Sequence, residues 1–357
     1  MPTYLLAGGG TAGHVNPLLA VADGLRTRDP EATVLVLGTR EGLEARLVPE
    51  RGYELLLVDK VPFPRRPNRD ALAFPARFRR AIGQVRAHIR ERDVDVVVGF
   101  GGYASAPAYR AARRADVPVV IHEANALPGL ANRLGARSAA AVGVAFEGTP
   151  LPGARVVGMP LRREIVELDA AALRAEAAAR YGLDPDKPTV LVFGGSLGAL
   201  RLNEAFAAAH RDILDAGHQL VHITGDQREG LSIEADGYVT PRYEDRMDLA
   251  FALADVVVCR AGAATVSEVE ALGIPAVFVP YAVGNGEQAR NARAAVEAGA
   301  AILIPDAEFD ADRIRREVVP LLQDAERLAR MRRAAEQVGT RAGTENVIAL
   351  IDEALRG

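Results

Sequence analysis

Two glycine-rich segments follow short apolar runs and precede alanine- and leucine-rich stretches. The first is Gly8-x-Gly10-x-x-Gly13, and the second covers residues 194–199. A glycine turn between a parallel strand and a helix lets backbone N–H groups approach a phosphate, toward which the helix also directs its positive end. Both segments are therefore candidate phosphate sites. A third glycine turn, residues 99–103, also follows an apolar run.

The first turn matches the fingerprint of dinucleotide-binding folds, which makes an NAD-dependent oxidoreductase one alternative. That fingerprint also requires an acid that ends the second strand, about 20 residues farther on. Here the second apolar run ends in Leu37-Gly38-Thr39-Arg40-Glu41, which has no acid at that place. The missing acid and the duplicated turn both disfavour the oxidoreductase. A simpler alternative is that the turns only join strands to helices.

Polar residues follow two later apolar runs. Thr265-x-x-Glu268 has the spacing of a capping box, so it predicts a helix start with Glu268 in the first turn. A carboxylate there could cap the helix, or it could accept hydrogen bonds from both hydroxyls of a ribose. Farther on, Gln288 and Asn291 follow the run 276–279, at the edge where parallel α/β sheets bind ligands.

Alternating strands and helices must position these motifs. Apolar runs at 4–7, 33–37, 94–98, 117–121, 190–193, 220–223, 256–259 and 276–279 alternate with helical stretches such as 17–25 and 346–355. Runs that are apolar on both faces suit parallel strands covered by helices. Because strand, glycine turn and helix recur in both halves, the sequence predicts an α/β protein with two Rossmann-like domains.

Composition narrows the class further. The length of 357 residues favours two domains, and 49% hydrophobic with 25% charged residues is typical of a globular protein. A net charge of −4 argues against a nucleic-acid partner. Cys259 is the single cysteine, which fits a reducing compartment. The sequence shows neither a signal peptide nor a run long enough to span a bilayer, so we expect a cytosolic protein or one at the cytosolic membrane surface.

Together these segments resemble the peptidoglycan glycosyltransferase family MurG. The resembling stretches keep their order along the chain: Gly-Gly-Gly-Thr-Ala-Gly-His (8–14), Gly-Thr-Arg-Glu-Gly-Leu-Glu (38–44), Gly-Phe-Gly-Gly-Tyr (99–103), His-Glu-Ala-Asn (122–125), Gly-Met-Pro-Leu-Arg (158–162), Gly-Gly-Ser-Leu-Gly-Ala (194–199), Cys-Arg-Ala-Gly-Ala-Ala-Thr-Val-Ser-Glu (259–268) and Gly-Asn-Gly-Glu-Gln-Ala-Arg-Asn-Ala (284–292). The family adds N-acetylglucosamine to undecaprenyl-pyrophosphoryl-N-acetylmuramyl-pentapeptide (lipid I), which gives lipid II.

The resemblance implies a GT-B fold, in which two Rossmann-like domains face each other across a cleft. It implies an N-terminal domain of residues 1–162, joined by the C-terminal helix 341–357, and a C-terminal domain of residues 163–340. It also implies an inverting transfer from UDP-N-acetylglucosamine to the 4-hydroxyl of the muramyl sugar, with no cofactor. A UDP-N-acetylglucosamine 2-epimerase of the same fold remains an alternative.

The resemblance also implies specific site residues. The UDP-N-acetylglucosamine site would comprise Thr11, Ala12, Gly13, Asn125, Arg162, Ser196, Ala263, Ala264, Thr265, Glu268 and Gln288. We assign the acceptor diphosphate to Gly10, Gly101, Gly102 and Tyr103. One departure from the family pattern is Glu244, which occupies a position that is often apolar beside the uracil.

Sugar transfer requires a base for the acceptor hydroxyl and positive potential at the leaving diphosphate. His14 directly follows the first glycine turn and is the candidate base, since histidine titrates near neutral pH. Glu41 and Glu123 are the alternatives. Asp93-Val94-Asp95 and Asp310-Ala311-Asp312 have the Asp-x-Asp pattern of metal-dependent transferases, but both are interpreted as structural, so we expect no metal.

Basic and apolar residues are interleaved in the segment 60–92, which begins at Lys60 and ends at Arg92. It holds ten basic residues against two acidic ones, together with Phe63, Phe74 and Phe78. Such a segment is either a solvated helix face or a surface for anionic lipid. Since the implied acceptor is a polyprenyl lipid, we expect a peripheral protein on the cytoplasmic face of the cell membrane.

Overall fold

The computed structural model describes residues 1–64, 69–195, 198–226, 233–281 and 286–357. The chain forms two compact units. One comprises Met1–Arg162 together with Arg341–Gly357, and the other comprises Arg163–Thr340.

The first unit is built on a parallel sheet. Its strands are β1 (Thr3–Ala7), β2 (Thr33–Gly38), β3 (Glu54–Leu57), β4 (Val96–Gly99), β5 (Val119–Glu123), β6 (Ala141–Val144) and β7 (Ala154–Val156). Their order across the described sheet is β3-β2-β1-β4-β5-β6-β7. The direction of winding reverses between β1 and β4, and ligands bind outside the carboxyl ends of the strands at such a reversal.

The second unit repeats this plan. Its strands are β8 (Thr189–Phe193), β9 (Gln219–Ile223), β10 (Tyr238–Val239), β11 (Val256–Cys259), β12 (Ala276–Phe278) and β13 (Ala301–Leu303). They pair in parallel in the order β10-β9-β8-β11-β12-β13 within the described residues. The reversal here lies between β8 and β11. The predicted α/β class with two Rossmann-like units is confirmed.

Helices cover both faces of each sheet. In chain order they are α1 (Ala12–Arg28), α2 (Glu44–Glu50), α3 (Arg69–Glu91), α4 (Ser105–Arg113), α5 (Leu130–Gly135), α6 (Arg163–Val166), α7 (Ala170–Tyr181), α8 (Leu200–Asp215), α9 (Met247–Leu253), α10 (Ala263–Ala271), α11 (Glu287–Asn291), α12 (Arg293–Glu297), α13 (Ala311–Arg313), α14 (Val319–Gln323), α15 (Ala325–Val338) and α16 (Gly343–Arg356). Short 3₁₀ turns cover Ala136–Ser138 and Asp306–Glu308, and Ile314–Val318 winds as a π-helix.

The last helix belongs to the first unit. Its residues Thr344 and Ile348 lie so close to Gly24 of α1 that any side chain at that glycine would overlap them. Val347, Leu350 and Ile351 are buried in the same core as β1 and β4.

Two predicted strands begin later in the structure than in the sequence pattern. The backbone N–H of Val94 donates to the Ile89 carbonyl, and that of Val117 donates to the Ala112 carbonyl. Each valine is therefore bonded to the end of the preceding helix and not to a neighbouring strand. The edge strands β3, β7, β10 and β13 and the inner strand β6 were not predicted. They are two to four residues long, and the edge strands are only partly buried, so these edges lack the fully buried run that marks β4 and β11 at a similar length.

Candidate functional site

The glycine turns after β1 and β4 lie side by side at the reversal of the first sheet. Gly102 has a positive φ of 83°, and a side chain there would overlap the carbonyl oxygen of Gly9. The buried Ser105 hydroxyl ties the turns together, because it lies 2.8 Å from the Ala7 carbonyl oxygen and 2.7 Å from that of Gly101. The two turns therefore form one rigid surface.

A buried acid that the sequence motifs did not identify lies against this surface. The Glu44 carboxylate accepts hydrogen bonds from the Thr39 N–H and hydroxyl at 2.9 Å and from the Gly10 N–H at 2.8 Å. The N–H of Gly10 is thus bonded inside the protein, and the contact of Gly10 with an acceptor diphosphate stays a prediction. Glu44 lies farther along the chain than the acid of the dinucleotide fingerprint. The signal in the sequence that could have identified Glu44 is its position five residues after Thr39.

His14 lies in the first turn of α1, directly beyond the glycine turn. Its Nδ1 is 3.2 Å from the Gly9 carbonyl oxygen and 3.2 Å from the Thr11 hydroxyl. Because a carbonyl oxygen only accepts, this contact assigns the proton to Nδ1 and the lone pair to Nε2. The imidazole edge with Nε2 faces Gly101. The half-buried ring is therefore held with its basic nitrogen toward the second turn.

The helix start around His14 also offers backbone donors. Thr11 is the N-cap of α1, and its side chain makes no capping bond to the helix. Ala12 and Gly13 are the first two helical residues, whose amides have no partner within a helix. These three residues were predicted to bind the donor, and the structure places them together at a helix N-terminus that favours anions.

The two alternative bases have different surroundings. The buried Glu123 carboxylate accepts from the N–H groups of Asn125 and Gly129 and from the Asn132 amide, each at 2.9 Å. With these donors satisfied internally, Glu123 positions Asn125 and is poorly placed to receive a proton from substrate. Glu41 is exposed and lies beside Arg40 in the loop after β2.

His122 precedes Glu123 on the same strand and is fully buried. Burial lowers the pKa of His122 to about 4, although its hydrogen bond to the Gly158 carbonyl opposes this shift. Nε2 lies 2.9 Å from that carbonyl oxygen. His122 is therefore neutral at physiological pH and supports the loop 158–162, which ends the unit at Arg162.

A pocket of about 650 Å³ lies in the second unit at the carboxyl ends of β8 and β11. It is lined by the glycine turn after β8, by Thr265 of α10 and by Gln288 of α11. The Gln288 side-chain oxygen accepts the Tyr281 N–H at 2.9 Å, so the pocket wall holds this side chain in place. Ser196, which was predicted to contact the diphosphate, lies outside the described residues.

The start of α10 differs from the prediction. Gly262 is its N-cap, so Ala263, Ala264 and Thr265 are the first three helical residues, and no side chain caps the helix. Glu268 is the sixth residue and lies in the second turn. The capping box and the first-turn position of Glu268 are therefore wrong, because Gly262 leaves the strand early enough to start the helix. The three unbonded amides instead belong to the two alanines and Thr265.

Charged residues line the same pocket. Asp306 accepts from Arg260 Nη1 at 2.5 Å and pairs with Arg201 Nε at 3.3 Å. Arg260 also donates to the Val279 carbonyl at 3.1 Å. Arg260 directly follows β11, and this position at a strand end was the signal that could have identified it.

Glu244 is bonded inside the protein. Its buried carboxylate accepts from Arg180, from the Tyr181 hydroxyl at 2.7 Å and from the Arg246 N–H at 2.8 Å. Burial acts to raise the pKa of Glu244, but these hydrogen bonds outweigh it, and the pKa lies below its ordinary value. The acid that departs from the family pattern therefore fixes the loop 242–246 from inside.

The Asp-x-Asp motifs have structural partners. Asp95 accepts the Thr3 N–H at 2.7 Å, and Asp310 caps α13 by accepting the Arg313 N–H at 2.8 Å. Across the described residues, His, Cys, Asp and Glu side chains do not gather in groups of three or more that could hold a metal ion.

Within the segment 60–92, the described residues 69–91 form the long helix α3. Phe63, Phe74 and Phe78 cluster with ring centroids 5.4–6.2 Å apart and pack partly on the core. Leu72 is 84% exposed. The arginines at 77, 79 and 80 are also exposed. Along the described chain, none of the helices has both the length and the apolar character needed to cross a bilayer.

Known proteins are similar to this chain in sequence. Residues 4–144 match the glycosyltransferase family 28 N-terminal domain, and residues 189–347 match its C-terminal domain. A protein of Clavibacter sepedonicus is 60% identical over 356 residues, which cover 99% of this chain and 97% of that protein. A protein of Clavibacter michiganensis subsp. michiganensis is 59% identical with the same coverage. Both are named UDP-N-acetylglucosamine--N-acetylmuramyl-(pentapeptide) pyrophosphoryl-undecaprenol N-acetylglucosamine transferase.

Solved structures show the same fold. The crystal structure of Acinetobacter baumannii MurG has a TM-score of 0.81 at 29% identity and covers 99% of this chain and 100% of its own. A UDP-N-acetylglucosamine 2-epimerase from Neisseria meningitidis has a TM-score of 0.69 at 13% identity, covering 98% and 99%, which shows the fold alone. The resemblance drawn from the motifs is confirmed: this chain belongs to the MurG family of glycosyltransferases.

Proposed function

We propose that this chain transfers N-acetylglucosamine from UDP-N-acetylglucosamine to the 4-hydroxyl of the muramyl sugar in undecaprenyl-pyrophosphoryl-N-acetylmuramyl-pentapeptide. The observation that carries the proposal is the identity of 58–60% across the whole chain to relatives named for this transfer. The 2-epimerase alternative rests on a fold likeness at 13–15% identity.

The donor site we propose is the pocket of the second unit. Backbone donors from the glycine turn after β8 and from the start of α10 would meet the diphosphate, and Arg201 and Arg260, which share Asp306 as an ion-pair partner, would donate charge-assisted bonds to it. Charge-assisted bonds of this kind stabilise negative charge as UDP leaves. Gln288 would contact the sugar, and Glu268 the ribose. Thr11, Ala12, Gly13, Asn125 and Arg162 stay predicted donor contacts.

His14 is the proposed base. As the acceptor oxygen bonds to C1 of the sugar, its proton moves to Nε2, and the C1–O bond to UDP breaks with its electron pair on the diphosphate. The attack and departure occur on opposite faces of C1, which inverts its configuration. The Gly9 carbonyl stabilises the imidazolium through Nδ1–H. Gly101, Gly102 and Tyr103 border this place and stay the proposed contacts of the acceptor diphosphate.

The lipid-linked acceptor favours peripheral attachment to the cytoplasmic face of the membrane. The support is α3, where exposed arginines and Leu72 surround the partly buried cluster of Phe63, Phe74 and Phe78. Each engaged basic residue contributes about 1 kcal/mol at an anionic surface.

UDP release, measured with and without a lipid-linked muramyl acceptor, tests the proposal. We expect release to require the acceptor and the product to be a disaccharide. Release of UDP together with free sugar in the absence of acceptor would instead indicate the epimerase class, and reduction of a nicotinamide cofactor would indicate the oxidoreductase.

A further inference from the structure

The first unit contains a pocket to which the transfer reaction proposed above assigns no role. It has a volume of about 370 Å³ and lies between the loops after β2 and β3 and one face of α3. Four basic side chains line it, Arg40, Lys60, Arg77 and Arg80, against the two acids Glu41 and Asp59. The pocket therefore presents an excess of positive charge.

Internal contacts leave this charge available. Arg77 donates to the Lys60 carbonyl oxygen at 3.1 Å, which joins α3 to the loop after β3. Among the residues that the structure describes, none of the four cations forms an ion pair with a carboxylate, whereas the exposed Arg28, Arg46, Arg51 and Arg92 of the same unit each do. Several unpaired guanidinium groups around one concavity suit a planar oxyanion, which they can bind in a bidentate manner.

The pocket adjoins the surface of the two glycine turns. The Lys60 ammonium group lies over the Tyr103 ring, 5.1 Å from its centroid. In the sheet order, β3 is two strands from β1, and neighbouring strands are about 4.8 Å apart, so the pocket lies about 10 Å to the side of the first turn. An extended pentapeptide spans at most about 17 Å. A peptide attached to a sugar beside His14 can therefore reach the pocket with its last residue.

We infer that this basic pocket binds the terminal carboxylate of the acceptor's pentapeptide. The inference rests on the proposed function, because it needs the muramyl sugar at His14. It adds a specificity-determining subsite on the acceptor side, with Arg40 and Arg80 as the direct partners of the carboxylate. Arg77 holds the Lys60 loop in place and acts as a positioning residue.

The test uses two water-soluble acceptors with a short polyprenyl chain, one whose pentapeptide ends in a free carboxylate and one whose pentapeptide ends in a carboxamide. Without vesicles, membrane docking does not contribute. We expect the parent protein to prefer the carboxylate about tenfold in kcat/KM, chiefly through KM, since a remote ground-state contact is removed. Arg80→Gln and Arg40→Gln should each reduce this preference toward one. Arg113→Gln, which removes an exposed arginine of α4 outside the pocket, should retain it.

Each outcome is decisive. A parent protein without preference, or a preference that survives both pocket variants, overturns the inference while the transfer itself still supports the proposed function. Absence of transfer to either acceptor overturns the proposed function and this inference with it. If Arg80→Gln lowers binding to phosphatidylglycerol vesicles but keeps the preference, the pocket serves a lipid phosphate, and the peptide assignment is wrong.

Discussion

At the scale of single residues, Glu268 is the sharpest test of the donor site. Because Gly262 is the N-cap of α10 and Glu268 lies in the second turn, Glu268→Gln should leave the helix intact. The loss of a charged acceptor for the ribose should weaken UDP-N-acetylglucosamine binding by about 1.5–3 kcal/mol. Calorimetric titration measures this change.

Glu297→Gln is the matched control, because it makes the same chemical change at an exposed position of α12. We expect it to keep the parent affinity. Unchanged donor affinity in a folded Glu268→Gln variant would contradict the ribose assignment.

His14 should affect turnover more than binding. A base acts on the acceptor in the transition state, so His14→Ala should lower kcat by about 10²–10⁴-fold and leave the donor dissociation constant nearly unchanged. Glu41→Gln serves for comparison. If donor affinity alone falls in His14→Ala, His14 is a binding residue, and Glu41 becomes the better candidate, because internal hydrogen bonds already occupy Glu123.

The residue types of the candidate site were readable from the sequence, but their partners were not. Gly13, His14 and Thr265 stand at helix starts because each follows a strand and a glycine, a local relation. Glu44 and Asp306 act on residues that are distant in sequence, and only the folded chain brings them together. The predicted cap of α10 was wrong because the spacing Thr265-x-x-Glu268 does not show where the helix begins. The same spacing occurs here inside the helix, which begins at Ala263.

At the scale of elements, we expect the stabilising contribution of the loop 242–246 to depend on pH, because Glu244 holds this loop in place. Its pKa is lower in the folded chain than in the unfolded chain, so its stabilising effect is complete above the unfolded value of about 4.3. That effect is lost as the pH falls through the folded value. We therefore expect urea denaturation to show the parent more stable than Glu244→Gln at pH 7, with the difference shrinking below about pH 4. A difference that is constant with pH would show that the ion pair contributes nothing.

The helix α3 should carry the membrane contact. Replacing the exposed Arg77, Arg79 and Arg80 by glutamine should weaken co-sedimentation with anionic vesicles, and salt should weaken it in the parent, because exposed charges are screened within about 10 Å at 0.1 M. Donor affinity, measured on the same variant, should be retained. If neither salt nor these substitutions change vesicle binding, the exposed side of α3 is a solvated helix face and not the membrane contact.

Among the elements, most strands of the sheet interiors were predictable, and the edge strands were not. The strands β1, β8 and β11 are buried along nearly their whole length, so their apolar runs are unbroken. An edge strand such as β7 gains its conformation from pairing with β6, and its own residues carry little preference.

At the scale of the whole molecule, we expect activity without a divalent metal. Helix starts and arginines supply the positive potential in the second unit, and both Asp-x-Asp motifs have backbone partners. Transfer should therefore persist in excess EDTA. Complete loss that magnesium or manganese restores would contradict this expectation.

The presence of two units could be predicted from the duplicated motif, since each copy of strand, glycine turn and helix supplies the first strand of one sheet. The return of α16 to the first unit did not follow from pattern. An amphipathic helix fits any apolar face of suitable width, and the deciding contacts with Gly24 depend on the finished core.

The buried Glu44 has a consequence for how relatives of this chain can diverge. Gly9, Gly38 and Gly42 each lie so close to its side chain that a methyl group at any of them would overlap it. Its carboxylate in turn holds Thr39 and Gly10. We therefore expect a change at one of these positions to require a compensating change at another, so that the set varies together among relatives. The same carboxylate occupies the N–H of Gly10, which is one of the backbone donors that a dinucleotide's pyrophosphate would use in such a turn.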